Sequence, residues 1–347
     1  MAHHDIVAIG ASAGGVEALT RLVRDLPAGL PASLFVVCHF PTNHRSVLPE
    51  ILSGAGPLLA THAIDGETFH PGHIYVAPPD FHLLLAGDQR MQLQRGPREN
   101  HHRPAVDPLF RSAARIYGPR VIGVVLTGFL NDGAAGLLAI RSAGGIAVVQ
   151  DPADAVVAAM PDNAARIAGA DHRVTLDRLA PLLAELIQRP AAAPGGPPMT
   201  DGFEKLPDIV NADMGEQVRN ERRGRVSLFS CPDCGGTLWQ ANEDTLIQFR
   251  CHVGHVIAGE TLLQDQANLL EAALWTAIRI FKERHLLAQQ LAEQETKRGD
   301  AVAAARFREQ SEQAASYGEL IRQHILRNPP PPRSSRDGNE HLSELEA

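Results

Sequence analysis

Short runs of Val, Ile and Ala alternate with glycine-rich turns and helical stretches from Asp5 to about Gln188. The apolar runs Ile6 to Ile9, Leu34 to Cys38, Val121 to Leu126 and Ile146 to Val149 lack polar alternation, as expected of strands covered on both faces. This pattern predicts an α/β domain: a doubly wound, mostly parallel sheet with helices on both faces. Between the second and third runs, Gly72 to Ala77 and Phe81 to Leu85 flank Pro78-Pro79-Asp80, with Met91 to Gln94 following. We expect a small antiparallel insertion there, at an edge.

Residues 189–226 read as a Pro/Gly-rich and then polar linker, because Pro190, Pro194, Pro197 and Pro198 deny helix continuation. A Cys/His-rich unit follows at 227–258. From Gly259 to residue 327, Leu262, Leu263, Leu269, Leu270, Leu274, Trp275, Ile278 and Phe281 recur at helical spacing, and Gly299-Asp300 offers a turn, so an antiparallel helical hairpin is expected. It reads either as packing on the Cys/His unit or as an arm for a partner or for self-association. The proline-rich tail 328–347 reads as disordered. The expected division is thus 1–188, 189–226, 227–258, 259–327 and 328–347.

Composition narrows the function. Of the 347 residues, 44% are hydrophobic and 21% charged, enough apolar side chains for a core. Lys and Arg total 32 against 40 Asp and Glu, a net charge of −8 that argues against nucleic acid as partner. No run reaches the roughly 18 apolar residues of a spanning helix, and no secretory leader opens the sequence, so a cytoplasmic setting is expected.

Three strand ends carry chemistry. The first strand runs into Gly10-Ala11-Ser12-Ala13-Gly14-Gly15, where a serine on a strand-to-helix turn can project its hydroxyl and the turn amides can receive an oxyanion; a phosphate loop or serine cap is the alternative. The second ends at His39-Phe40-Pro41, either a general base or a structural histidine. The third leads into Thr127-Gly128-Phe129-Leu130-Asn131-Asp132-Gly133, where Asp132 orients a histidine or simply caps the next helix. Ligands collect at the carboxyl edge of such a sheet, so the three side chains can converge as nucleophile, base and orienter.

These strings, with Pro71-Gly72-His73-Ile74-Tyr75-Val76-Ala77-Pro78, His102-Arg103-Pro104-Ala105-Val106-Asp107-Pro108-Leu109-Phe110 and Met160-Pro161, resemble the catalytic domain of chemotaxis protein-glutamate methylesterases, the CheB-type family, over about residues 5 to 188. The resemblance implies hydrolysis of glutamate γ-methyl esters on cytoplasmic segments of methylated chemoreceptors, often with deamidation of glutamines, and no catalytic cofactor. Carried over by motif, Ser12 matches the nucleophile, His39 the base and Asp132 the acid. Ala13, Gly14, Gly15 and Phe129 line the oxyanion and acyl loops. Arg103 and His102 are candidates for docking acidic receptor helices, with a solvated basic loop as the alternative. Ala13 stands where the family often has threonine, and Gly128-Phe129-Leu130 where it often has Gly-Met-Gly. These departures motivate a second reading, a catalytically weakened regulatory or scaffold module that binds a receptor or kinase partner. The first catalytic strand begins near residue 5, so no receiver domain is expected ahead of it.

Cys231-Pro-Asp-Cys234 and Cys251-His252-Val253-Gly254-His255 form two knuckles separated by a short hairpin, the spacing of a structural zinc site. Cys231, Cys234 and Cys251 are the expected thiolate ligands, with His255 preferred to His252 as the fourth. A redox pair or free thiols are the alternatives. Cys38 reads as core.

Overall fold

The structure is a computed structural model that describes residues 3–39, 46–192, 225–241 and 246–327. Phe40 and Pro41, most of the expected linker and the tail 328–347 lie outside the described residues. The chain forms one compact unit through Thr261 and a second from Leu262.

In the first unit seven strands, β1 (Ile6–Ala11), β2 (Ser33–Cys38), β3 (Leu59–His62), β4 (His73–Val76), β7 (Val121–Val125), β8 (Ile146–Gln150) and β9 (His172–Val174), form one sheet. Its order is β3-β4-β2-β1-β7-β8-β9, and all its pairs are parallel. The chain builds one half outward from β1 and returns to β7 on the other side. The crevice beyond the carboxyl ends of β1, β2 and β7 is therefore the topological switch point.

Strand alternation divides the core. Val7 and Ile9 of β1 face α1 (Gly15–Arg24), α2 (Leu48–Ala55) and α6 (Leu176–Gln188) through Leu19, Leu22, Leu52, Leu179 and Leu183. Ile6 and Ala8 face the opposite layer, built from α3 (Val106–Tyr117), α4 (Ala134–Ser142) and α5 (Ala159–Ala168), where Phe110, Leu137, Ile140 and Ala164 are buried. Both faces of the sheet are covered by buried apolar side chains, which is why the strands read as unbroken apolar runs.

One expectation changes, and two strands go beyond what the sequence predicts. The segment 72–77 is not part of an antiparallel insertion: β4 lies inside the main sheet, parallel to β2 and β3. Only β5 (His82–Ala86) and β6 (Arg90–Gln94) form the antiparallel pair. The short strands β3 and β9 were not legible, because Leu-Ala-Thr-His and His-Arg-Val carry neither an apolar run nor alternation.

A four-stranded antiparallel sheet completes the first unit: β10 (Arg225–Ser230), β11 (Thr237–Ala241), β12 (Gln248–Cys251) and β13 (Val256–Ala258). Helix α7 (Gly259–Arg298) begins directly after β13.

The second unit is the helical hairpin of α7 and α8 (Ala301–Arg327). Phe281 meets Tyr317 at 5.7 Å between ring centroids, and the His285 ring lies 2.8 Å from Ser311 Oγ. Arg308 bonds Thr296 closer to the turn, a register that makes the pair antiparallel. Gly299 closes α7 at φ +85°, and Asp300 Oδ1 accepts from the Ala303 amide at the start of α8.

Candidate active site

Ala11 pairs with Cys38 at the last rung between β1 and β2, so Ser12 and His39 are the first residues beyond the same edge. Two bonds carry the ladders past the strands. The His39 amide donates to Ala11 O at 3.2 Å, and the Ser12 amide to Thr127 O at 2.9 Å. The backbone thus sets Ser12 between the His39 strand end and the Thr127 loop. Gly14 sits at φ +74° and starts α1, a conformation strained for any residue with a Cβ. The Gly15 amide donates to Ser12 O at 2.7 Å, which leaves the Ala13 and Gly14 amides as the candidate oxyanion donors of the turn.

His39 and Asp132 are joined. His39 Nε2 lies 2.8 Å from Asp132 Oδ2, with both side chains buried. Burial alone pushes the Asp132 carboxyl up. The His39 hydrogen bond and charge, the Val106 amide and His102 outweigh that and hold it well below the ordinary carboxylate range. Asp132 is therefore the acceptor and His39 Nε2 the donor, and in the neutral ring that tautomer puts the lone pair on Nδ1. That Nδ1 is buried and has no hydrogen-bond partner among the described residues, Ser12 included. His102 stacks flat on His39, 3.6 Å between centroids and 9° between planes.

The Asp132 carboxylate also caps a helix. Helix α3 has Ala105 at its N-cap and no side-chain cap of its own, yet its Val106 and Asp107 amides donate to Asp132 at 2.7 and 3.2 Å. Helix α4, likewise uncapped locally behind Gly133, receives its cap in return, because the Gly136 amide donates to Asp107 Oδ1 at 2.7 Å. Each helix start thus has an amide satisfied by the acid that lies near the start of the other. Two buried carboxylates so close cannot both ionise readily. Burial first, and then the Asp132 charge, raises Asp107 well above the ordinary carboxylate range. Asn100 Nδ2 bridges the pair, 3.3 Å from Asp107 Oδ2 and 3.5 Å from Asp132 Oδ1.

The expected loop residues divide. Thr127 Oγ1 donates to Ala13 O at 2.9 Å and accepts from the Val157 amide at 2.8 Å, fixing the serine turn from below. Phe129 and Leu130 are half-buried beside it, and Leu130 stands at φ +64°, a left-handed position that favours glycine. Arg103 is not brought to Ser12, His39 or Asp132: its guanidinium bonds Asp80 Oδ1 through Nε at 2.9 Å and Nη2 at 2.5 Å, and donates to Gly96 O. It clamps two loops together. Cys38 is core, and burial pushes its thiol up to about 12.

Three supporting residues were not named from sequence. Thr127 and Asp107 stand inside the quoted motifs, and a buried carboxylate at a helix start could have marked Asp107. Asn100 has no local signal.

At the Cys/His sheet, one donor atom each from Cys231, Cys234, Cys251 and His255 lies within 4.8 Å of the others. His255 offers Nδ1; His252 instead lies against Trp239. A tetrahedral zinc ion at ordinary bond lengths sets its donors about 3.5–3.8 Å apart. The separations are 3.7 Å for Cys231–His255, 3.6 Å for Cys234–Cys251 and 3.4 Å for Cys251–His255. The donor set fits such an ion.

Among the described residues no helix is long and apolar enough to cross a membrane.

Comparison with known proteins agrees over the α/β unit. The chain is 41% identical over 184 residues to a protein-glutamate methylesterase/protein-glutamine glutaminase 1 of Xanthomonas euvesicatoria pv. vesicatoria, covering 52% of this chain and 51% of that protein. It is 36% identical over 191 residues to the protein-glutamate methylesterase/protein-glutamine glutaminase 2 of Methanosarcina mazei, covering 53% and 52%. The chain spans about half the length of the curated relatives it matches. The crystal structure of the Thermotoga maritima CheB methylesterase catalytic domain superposes with a TM-score of 0.51 at 35% identity, covering 53% of this chain and 98% of that one. The family model for CheB methylesterase matches residues 7–183, half of the sequence, and the chain belongs to that family.

Proposed function

We propose that this protein is a serine hydrolase that removes methyl groups from glutamate γ-methyl esters on methylated chemoreceptor segments, with glutamine deamidation as a second activity of the same site. The observation that carries the reading is the His39–Asp132 pair at the sheet edge that also carries Ser12: Nε2 is committed to the acid, and Nδ1 is the ring nitrogen left to act as base. In the reaction, Nδ1 accepts the Ser12 proton while Oγ attacks the ester carbonyl. The Ala13 and Gly14 amides stabilise the oxyanion. Collapse expels methoxide, which takes the proton from His39 and leaves as methanol. Water, deprotonated by the same nitrogen, then cleaves the acyl-serine to give glutamate and the free hydroxyl. Asp132 stays ionised and stabilises the imidazolium.

For the Cys/His sheet we infer a structural zinc ion held by Cys231, Cys234, Cys251 and His255. Its chemistry there is to cross-link a sheet too small to be held by its own core. The donor separations and the four protein donors, which fill a tetrahedral ion's coordination, support this over a catalytic role.

Ser12→Ala is expected to abolish methanol release from a methyl-esterified receptor fragment while leaving the far-ultraviolet spectrum and Tm unchanged. A fluorophosphonate should label the native protein and not the variant. Unchanged turnover in Ser12→Ala overturns the assignment, and a native protein that neither labels nor turns over favours the scaffold reading suggested by Ala13 and Phe129.

A further inference from the structure

The Cys/His sheet packs against the loop that supports the acid. The Asn100 amide donates to Val256 O at 2.8 Å, and the Ala258 amide donates to Asn100 Oδ1 at 3.1 Å. The Val256 amide donates to Arg98 O at 3.3 Å, so β13 runs alongside residues 98–100 as an added edge. Asp233, inside the first cysteine knuckle, lies 3.1 Å from His101 Nδ1. On the other side of the acid, Thr261 is fully buried and donates to Asn131 Oδ1 at 2.8 Å, one residue before Asp132.

This arrangement fixes the Asn100 carboxamide in one sense. Ala258 presents an N–H, so Oδ1 must face β13, and the NH2 must face Asp107 and Asp132. Its contacts of 3.3 and 3.5 Å are those of one amide shared by two carboxylates. The backbone pays for the placement: Asn100 and His101 stand at φ +47° and +69°, consecutive left-handed residues that persist only where neighbours over-determine them. Those neighbours are Val256, Ala258 and Asp233, each within three residues of a cysteine or histidine of the cluster.

We propose that Asn100 is a positioning residue for Asp132, and that the metal-bearing Cys/His sheet sets it, so that metal occupancy controls the order of the His39–Asp132 pair. The proposal rests on the methylesterase and zinc readings above. It gives the Cys/His unit a role in the reaction: a thiol- and metal-dependent brace applied from outside the α/β fold.

The test uses the full chain in four states: native and Asn100→Gly, each before and after zinc removal by a strong chelator. Glycine is chosen because it accepts the left-handed backbone while deleting the carboxamide. The readouts are zinc content, hydrogen exchange at the Asn100 and Ala258 amides, the low-field proton resonance of His39 Nε2–H, and kcat and KM for methanol release. Asn100→Gly should retain stoichiometric zinc, shift or broaden the His39 resonance and lower kcat about tenfold at unchanged KM, the loss expected for one hydrogen bond to a buried carboxylate. Zinc removal from the native chain should do the same and release protection at both amides. In Asn100→Gly, zinc removal should lower kcat no further, since both changes act on one linkage. Additive losses, or a His39 resonance unchanged by zinc removal, overturn the proposal. So does a native chain purified without zinc that keeps the resonance and the protected amides. If the native chain releases no methanol, the methylesterase reading fails, and the resonance and exchange still decide whether the sheet orders the acid.

Discussion

Gly128 lies where the third strand-end loop crosses the serine turn. A Cβ built there falls 2.7 Å from Ser12 Cβ and 2.5 Å from Met160 Sδ. Met160 is flexible and can yield. Ser12 cannot move freely, because its amide is bonded to Thr127 O and its carbonyl to the Gly15 amide. Carbon atoms in ordinary contact stand about 3.5–4.0 Å apart, so Gly128→Ala must separate Ser12 from the loop by roughly 1 Å. A displacement of that size at a reacting atom costs about 10²-fold in kcat/KM, or about 2.7 kcal/mol of transition-state stabilisation. Overpacking should cost a further 1–3 kcal/mol or so of stability, lowering Tm by about 2–10 °C. The assay is methanol release at 25 °C, well below the transition, beside thermal unfolding. Gly87→Ala is the control, since a Cβ there meets nothing within 4 Å. Native turnover in folded Gly128→Ala would refute the argument that the Ser12 position limits the reaction.

Leu130 should invert the usual order of substitutions. At φ +64°, Leu130→Ala keeps the left-handed cost and loses the side chain, whereas Leu130→Gly sheds both, so denaturant unfolding should find the glycine variant more stable by about 1 kcal/mol; alanine more stable than glycine would sink this. Asp107 should make stability depend on pH with a definite sign. Its folded carboxyl is raised by burial and by Asp132, so its contribution is complete below the unfolded value near ~3.9 and is lost as pH rises through the folded one. Asp132 is depressed, so its contribution is present above ~3.9 and lost only as pH falls below it; the two windows do not overlap. Denaturant midpoints followed upward from about pH 4 should slope downward in the native chain and less so in Asp107→Asn, and parallel profiles would contradict the paired-carboxylate reading.

The α/β layers, the three strand ends and the Cys/His knuckles were legible in the sequence because each depends on a local pattern: unbroken apolar runs, glycine at a tight turn, ligand spacing along a hairpin. Placement of 73–76 in the main sheet was not, since a four-residue strand between turn signals looks alike whether its partner is parallel or antiparallel. Which residues brace the acid was also invisible. Asp107 and Asp132 cap each other's helices across 25 residues, and Asn100 answers an amide 158 residues away at Ala258. Such bonds follow no sequence period. They exist because a buried donor or carboxylate must be satisfied by whatever the packed fold brings beside it, and only the tertiary structure decides what that is.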